Sequence, residues 1–173
     1  AVDGSVAAVL IESVQGEGGV NPATTEYLRG IRELCDETGA LMMVDEIQTG
    51  FARTGRWFGF EHAGVSPDVV TLAKAMGNGM PVGACWARAD VAAVFEPGDH
   101  GSTYSGTAIA TAAVNATIDE MVRIDAPALA VATGAKLVTA LLELDGVVGV
   151  RGHGLMLGVE LADGIDARVA YAD

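Results

Sequence analysis

The sequence is poor in basic residues and in cysteine, and both shortages exclude classes of function. Ten lysines and arginines stand against 23 aspartates and glutamates, so the formal net charge is −13. This excess disfavours binding to nucleic acid or anionic membranes, because both partners are themselves negatively charged. The two cysteines, Cys35 and Cys85, lie in apolar surroundings without the spacing of a metal site. This pattern predicts free thiols in a reducing, cytoplasmic compartment.

Long apolar runs and clustered histidines are also missing. No apolar run free of charge and glycine is long enough to cross a bilayer, and no signal peptide is recognisable. The spacing of His62, His100 and His153 is not that of a metal site. We interpret His62 as a side chain packed among loop aromatics. The chain has no initiator methionine and ends where a helix is predicted to begin at 165–171, so we expect it to be part of a longer protein.

Apolar patterning predicts an α/β fold built on a mostly parallel sheet with flanking helices. Short apolar runs typical of buried strands occur at 6–11, 41–44 and 69–73. A helical pattern, with Thr24 or Thr25 as N-cap and Gly39 after its end, separates the first two runs. Such a strand–helix–strand unit predicts parallel pairing with a right-handed crossover. Segment 82–87 follows the third run too closely for a crossover, so it must run antiparallel or leave the sheet.

The C-terminal third is predicted to begin a second, smaller domain. Helical patterns cover 107–121 and 127–144, and a hairpin is predicted at 147–161. The break between the helices divides the chain into the later part of a large domain, 1–122, and the start of a small α+β domain, 123–173.

Chemically reactive side chains follow the three predicted parallel strands. Glu12 ends the first strand, Asp45 and Glu46 end the second, and Lys74 ends the third. Ligands of open α/β sheets bind beyond the carboxyl ends of the strands, so these groups are expected on one rim. Lys74 is either a strand-end lysine reaching solvent or a buried amine used for Schiff-base formation.

The polar loop 99–106 is a candidate phosphate site. Ser102 and Thr103 supply hydroxyls just before a predicted helix, and hydroxyls, free backbone N–H groups and a helix N-terminus attract anions. Ordinary helix capping explains the same residues. A strand ending in Asp-Glu also resembles the Mg²⁺-binding strand of P-loop ATPases, but the chain contains no G-x-x-x-x-G-K-[ST] segment.

A strand-end lysine, a carboxylate on the adjacent strand and a phosphate loop together match the needs of pyridoxal 5′-phosphate. The lysine forms the Schiff base, the aspartate keeps the pyridine nitrogen protonated so that the ring acts as an electron sink, and polar donors hold the phosphate.

Four motifs then carry a resemblance to the class III (subgroup II) aminotransferases. VDEIQTGFARTGRWFGFEHAGVSPDVVTLAKAMGNGMPVGA resembles the cofactor-lysine signature of that family, and IESVQGEGGV its glutamate loop. HGSTYSG is similar to its phosphate loop, and VRGHGLMLGVEL to its C-terminal-domain hairpin. The sequence of the lysine region, LAKAMGNGMPVGA, is most similar to that of acetylornithine aminotransferases. The resemblance implies a partial fold-type-I transferase fold.

The resemblance implies cofactor roles for five residues. Lys74 would form the Schiff base and move the proton of the reaction. Asp45 would pair with the pyridine nitrogen, and Gln48 would contact the phenolic oxygen. Glu46 and Ile47 would complete the cofactor-binding stretch.

The resemblance implies further roles for four residues. Thr103 would bind the phosphate of the neighbouring subunit in a homodimer, and Ser102 would face the substrate. Glu17 would pair with a substrate-binding arginine and switch between ω-amino and α-amino substrates. Glu12 would lie behind the cofactor. Ser13 and the segment 105–109 depart from the usual pattern of the family.

The implied reaction is transfer of an ω-amino group, from N-acetylornithine or ornithine, to 2-oxoglutarate, giving glutamate in arginine and amino-acid metabolism. Three alternatives stay open: 4-aminobutyrate as donor, a racemase or mutase reaction on the same fold, or a truncated chain that is inactive alone. The arginine that clamps the α-carboxylate and the aromatic residue that stacks on the ring have no counterpart here.

Overall fold

The computed structural model describes residues 3–167, and a four-stranded sheet is its framework. The strands are β1 (Ala8–Glu12), β2 (Val14–Gln15), β3 (Asn21–Pro22), β4 (Leu41–Asp45), β5 (Val69–Leu72), β6 (Ala84–Ala87), β7 (Val147–His153) and β8 (Met156–Leu161). The α-helices are α1 (Thr25–Thr38), α2 (Ala89–Ala92), α3 (Ala108–Arg123) and α4 (Ala126–Leu142). Two single 3₁₀ turns cover Gly59–His62 and Lys74–Met76.

The main sheet has the strand order β1–β4–β5–β6. β1 pairs parallel with β4, and β4 pairs parallel with β5, as the strand–helix–strand pattern predicted. β6 is antiparallel to β5, which resolves the choice that the short connection left open. The mostly parallel α/β fold is therefore confirmed, and the carboxyl ends of β1, β4 and β5 meet at one edge.

Helix α1 begins and ends where its sequence signals predicted. The Thr24 hydroxyl accepts from the Tyr27 backbone N–H at 3.1 Å, and Gly39 adopts φ 75 at the C-terminal end. Such caps satisfy backbone groups that the helix leaves unpaired. The apolar side of α1 covers one face of the sheet, and this core includes Leu28, Cys35, Met42 and Val44.

Helices α3 and α4 meet at a sharp break at residues 124–125. The division into two domains at this break remains a prediction. The hairpin β7–β8 follows α4, in agreement with the sequence pattern. Most of the helix predicted at 165–171 lies outside the described residues. Within 3–167, no single helix is long and apolar enough to span a membrane; α3 and α4 together pass that test by length and composition, although they are bent by 66°.

Candidate active site

Lys74 lies at the carboxyl edge of the sheet, two residues after the end of β5. It begins a 3₁₀ turn with φ 46, a conformation that a non-glycine residue adopts only when its surroundings hold it there. Its side chain is exposed rather than buried, which corrects the interpretation of a buried lysine. Lys74 is exposed because β5 ends at Leu72, so that Lys74 belongs to the turn after the strand and not to the buried sheet.

Lys74 borders a pocket of about 310 Å³. Ile47 and Gln48 line the pocket beside it, and Arg53 and Val20 also contribute. The sequence predicted that the segment after β4 and the lysine would share this edge, and the structure brings them together. Arg53 and Val20 lie inside two of the quoted motifs, but the sequence did not assign either of them to this pocket.

A row of polar side chains crosses the sheet beside this pocket. The pairing registers align Glu12 with Asp45, Asp45 with Thr71, and Thr71 with Cys85. Aligned residues of neighbouring strands point to the same face of a sheet. The expected carboxylate rim is therefore formed by Glu12 and Asp45 on one face.

Two groups in this row have a hydrogen-bonding position that no described residue fills. Asp45 Oδ1 accepts from the Ile47 backbone N–H at 2.9 Å, and no residue within 3–167 donates to its other carboxylate oxygen. The Thr71 hydroxyl oxygen is buried and has no hydrogen-bond partner among the described residues. An unpaired buried hydroxyl is costly, but Thr71 is not among the residues that line the Lys74 pocket. The Lys74 amine and the Asp45 carboxylate fit what the pyridoxal 5′-phosphate expected from the sequence needs: an amine for the Schiff base and a carboxylate for the ring nitrogen.

Glu46 faces the opposite way, into the protein. Its side chain has no exposed surface. One carboxylate oxygen accepts from Ser13 Oγ and the Phe60 N–H, and the other accepts from Thr49 Oγ1 and the Gly59 N–H. Burial raises the pKa of the Glu46 carboxyl, and the four hydrogen bonds oppose that shift. The side chain thus ties the loop after β4 to the chain beyond Phe58, and this geometry does not support direct contact between Glu46 and a cofactor.

The glutamate loop, which connects β2 and β3, contacts Gln48 of the Lys74 pocket. Glu17 is exposed, and its Oε1 accepts from Gln48 Nε2 at 3.2 Å. Glu12 is exposed as well, and its Oε2 accepts from the Gly16 N–H at 2.8 Å. A side chain at Gly16 would collide with Gln48. Glu12 therefore anchors the start of the loop, and its predicted position behind a cofactor stays a prediction.

The hairpin β7–β8 closes the far side of the pocket, a contact that local sequence patterns did not reveal. Leu155, Met156 and Leu157 line the pocket opposite Lys74. The Leu155 N–H donates to the Arg53 carbonyl at 2.9 Å. The glycine-rich turn of the hairpin was the one available signal, because glycine permits close approach of two backbones.

His62 meets the hairpin instead of the loop aromatics. Its ring stacks on His153 with centroids 4.5 Å apart, and its Nε2 lies 3.1 Å from Thr54 Oγ1. Burial lowers the pKa of His62, and the neighbouring His153 lowers it further. The expected packing of His62 among aromatic side chains is wrong, because a tertiary contact supplies a better partner.

The predicted phosphate loop does not join this pocket within the described chain. Ser102 and Thr103 are exposed and are absent from the residues that line the Lys74 pocket. Ser102 Oγ accepts from the Tyr104 N–H at 3.4 Å, and Thr107, not Thr103, caps α3. The roles of Ser102 and Thr103 therefore stay predictions.

Comparison with known proteins agrees with the motifs. The family described as aminotransferase class-III matches residues 1–172. Acetylornithine aminotransferase of Methanopyrus kandleri is 51% identical over 164 residues, which cover 94% of this chain and 42% of that protein. The chain thus spans about two fifths of the length of such curated relatives.

Solved structures agree with the fold. Ornithine aminotransferase from Toxoplasma gondii superposes with a TM-score of 0.90 at 38% identity, covering 96% of this chain and 41% of that one. Acetylornithine aminotransferase from Elizabethkingia anophelis gives a TM-score of 0.87 at 35% identity, covering 95% of this chain and 44% of that one.

Proposed function

Because the chain belongs to the class III aminotransferase family, we propose that the whole protein is a pyridoxal 5′-phosphate-dependent aminotransferase. It takes an ω-amino group from a donor of the N-acetylornithine or ornithine type and passes it to 2-oxoglutarate, giving glutamate. The observation that carries the proposal is the meeting of Asp45, Gln48 and Lys74 at one edge of the sheet.

The side chains present divide the work between binding and proton transfer. When bound, the cofactor supplies an electron sink for the bonds at the substrate carbon. The Lys74 amine would hold the cofactor and move the proton at the substrate carbon, and its exposed position leaves Nζ accessible. The Asp45 carboxylate would hold a proton on the ring nitrogen, and the Gln48 amide would orient the ring oxygen.

The ω-amino donor rests on similarity to relatives. The curated relative at 51% identity is named for acetylornithine, and the structure with a TM-score of 0.90 is named for ornithine. Both compounds carry an amino group at the far end of the chain. A role for Glu17 in selecting between donors is supported by its hydrogen bond with Gln48, which lines the pocket.

We also propose that the protein acts as a cytoplasmic homodimer in which Thr103 serves the partner's phosphate site. The exposed loop around Thr103 supports this, because its hydroxyls do not reach the pocket of their own chain. Exposed polar loops of this kind are available to a second copy.

The test is cofactor binding by the full-length protein. Added pyridoxal 5′-phosphate is expected to give the absorbance band of the lysine-bound cofactor, and Lys74→Ala is expected to remove it. Lys136→Ala is the matched control, because Lys136 is the other lysine of the chain and lies exposed on α4. A band that survives Lys74→Ala would refute the lysine assignment.

A further inference from the structure

Arg151 on β7 binds the glutamate loop between β2 and β3 directly. Its Nε and Nη2 atoms donate to the Gly19 carbonyl oxygen at 3.0 and 2.6 Å. Gly158 on β8 approaches the next residue of that loop: a side chain at Gly158 would lie 3.0 Å from the Val20 Cβ. The hairpin thus holds the loop at two adjacent positions.

The segment held in this way forms part of the pocket wall. Val20 lines the pocket and has φ 52, a strained conformation for a β-branched residue. Such a conformation persists only when neighbouring structure enforces it. On the other side of the same loop, Glu17 accepts from Gln48, which also lines the pocket. Gly19 lies directly before Val20 and two residues after Glu17, so we expect a displacement of Gly19 to move both side chains.

We propose that Arg151 is a positioning residue for selection of the amino donor. Its two hydrogen bonds to the Gly19 carbonyl keep Val20 against the pocket and Glu17 beside Gln48. This inference rests on the proposed aminotransferase function. The Glu17 carboxylate at the pocket edge disfavours a donor with a second carboxylate and tolerates one whose distal group is neutral or positive.

The test compares two donors in the full-length protein: N-acetylornithine, which has one carboxylate, and glutamate, which has two. The ratio of kcat/KM for N-acetylornithine to kcat/KM for glutamate is expected to fall about three- to tenfold in Arg151→Gln, the size expected from losing one ordinary, solvent-exposed hydrogen bond. The change is expected in the KM values, while the absorbance of the bound cofactor stays unchanged. Arg151→Lys keeps the charge but offers one donating nitrogen where arginine uses two, so its ratio is expected to lie between those of Arg151→Gln and the wild type.

Glu160→Gln is the matched control within the hairpin. Glu160 lies 3.9 Å from Arg151, and both side chains are substantially exposed, so this pair contributes little. The control is expected to leave the ratio unchanged. An Arg151→Gln protein with an unchanged ratio, or with equal losses for both donors, would overturn the inference.

A double-mutant cycle separates action through Glu17 from general loosening. In a Glu17→Gln background, Arg151→Gln is expected to change the ratio much less, because the charged residue that it positions is already gone and Val20 carries no charge with which to distinguish the two donors. An additional, additive fall would contradict the proposal. If Arg151→Gln does not fold, Arg151→Lys in both backgrounds carries the same comparison. A wild-type protein inactive with both donors overturns the proposed function itself, whereas an active protein with an unchanged ratio overturns only the role of Arg151.

Discussion

Neighbouring residues on one strand end take opposite roles at this site. Asp45 shares its face of the sheet with Glu12 and Thr71, whereas Glu46 follows the strand end and turns inward. Each Glu46 oxygen accepts from one hydroxyl and one backbone N–H, so the carboxylate is matched to four donors. Of these two adjacent acids, Asp45 is thus a candidate ligand-binding group, and Glu46 stabilises the loop that follows β4.

Glu46→Gln is expected to destabilise the full-length protein by about 1–3 kcal/mol, the cost of an unsatisfied buried group. Whichever way the amide is oriented, its NH₂ group meets a backbone N–H of Gly59 or Phe60. Urea unfolding measures the change. Glu33→Gln, exposed on α1, is the control and should shift stability little. Equal stability of the two variants would contradict this account of Glu46.

The hairpin is the element that completes the pocket, and its turn is packed on two sides. A side chain at Gly154 would lie 2.5 Å from the Thr54 carbonyl carbon and 2.7 Å from the Gly55 nitrogen. On the other side, Gly134 of α4 contacts the Gly154 carbonyl. Only glycine permits this approach, and Gly154 also adopts φ 54.

Gly154→Ala is expected to displace the hairpin, because backbone atoms and not flexible side chains stand in the way of the new methyl group. Gly164→Ala is the matched control: Gly164 has φ 89, but nothing lies within 4 Å of its added Cβ. Gly164→Ala should lower the free energy of unfolding by about 1–2 kcal/mol, the cost of the left-handed conformation alone. Gly154→Ala should cost more and also weaken binding of the cofactor. Equal thermal stability of the two variants would show that the close contact is unimportant.

At the scale of the whole molecule, much apolar surface is exposed. One sheet face is covered by α1, but Leu10 on the other face is 61% exposed, and Ile109 on α3 is 67% exposed. Large apolar surfaces of this kind mark sites of contact with other protein surfaces. The chain therefore carries surfaces suited to further contacts, which agrees with its covering about two fifths of its relatives.

The 173-residue chain by itself is expected to self-associate and to bind a hydrophobic dye. Light scattering and dye fluorescence measure this, with the full-length protein as reference. Leu10→Lys should reduce both signals, because it places a charge on the uncovered face without touching the core under α1. A chain that stays monomeric and dye-free would contradict the expectation.

The sequence by itself determined the local architecture. Apolar periodicity predicted the parallel strands and the hairpin, and capping residues predicted the ends of α1. The short connection after β5 limited β6 to an antiparallel or a separate position. All three signals act between residues that are close in the sequence. The same holds for the shared edge of Asp45 and Lys74, because parallel strands bring their carboxyl ends together, whereas the role of Gln48 was expected from the family resemblance alone.

Only the tertiary structure decided which distant surfaces meet. Arg151 reaches Gly19 across 132 residues, His62 finds His153, and Glu46 turns inward while Lys74 stays in solvent. Periodicity records how a segment is oriented relative to a core, but it carries no information about its partner. The closure of the hairpin over the pocket therefore depends on close packing between segments that the sequence keeps far apart.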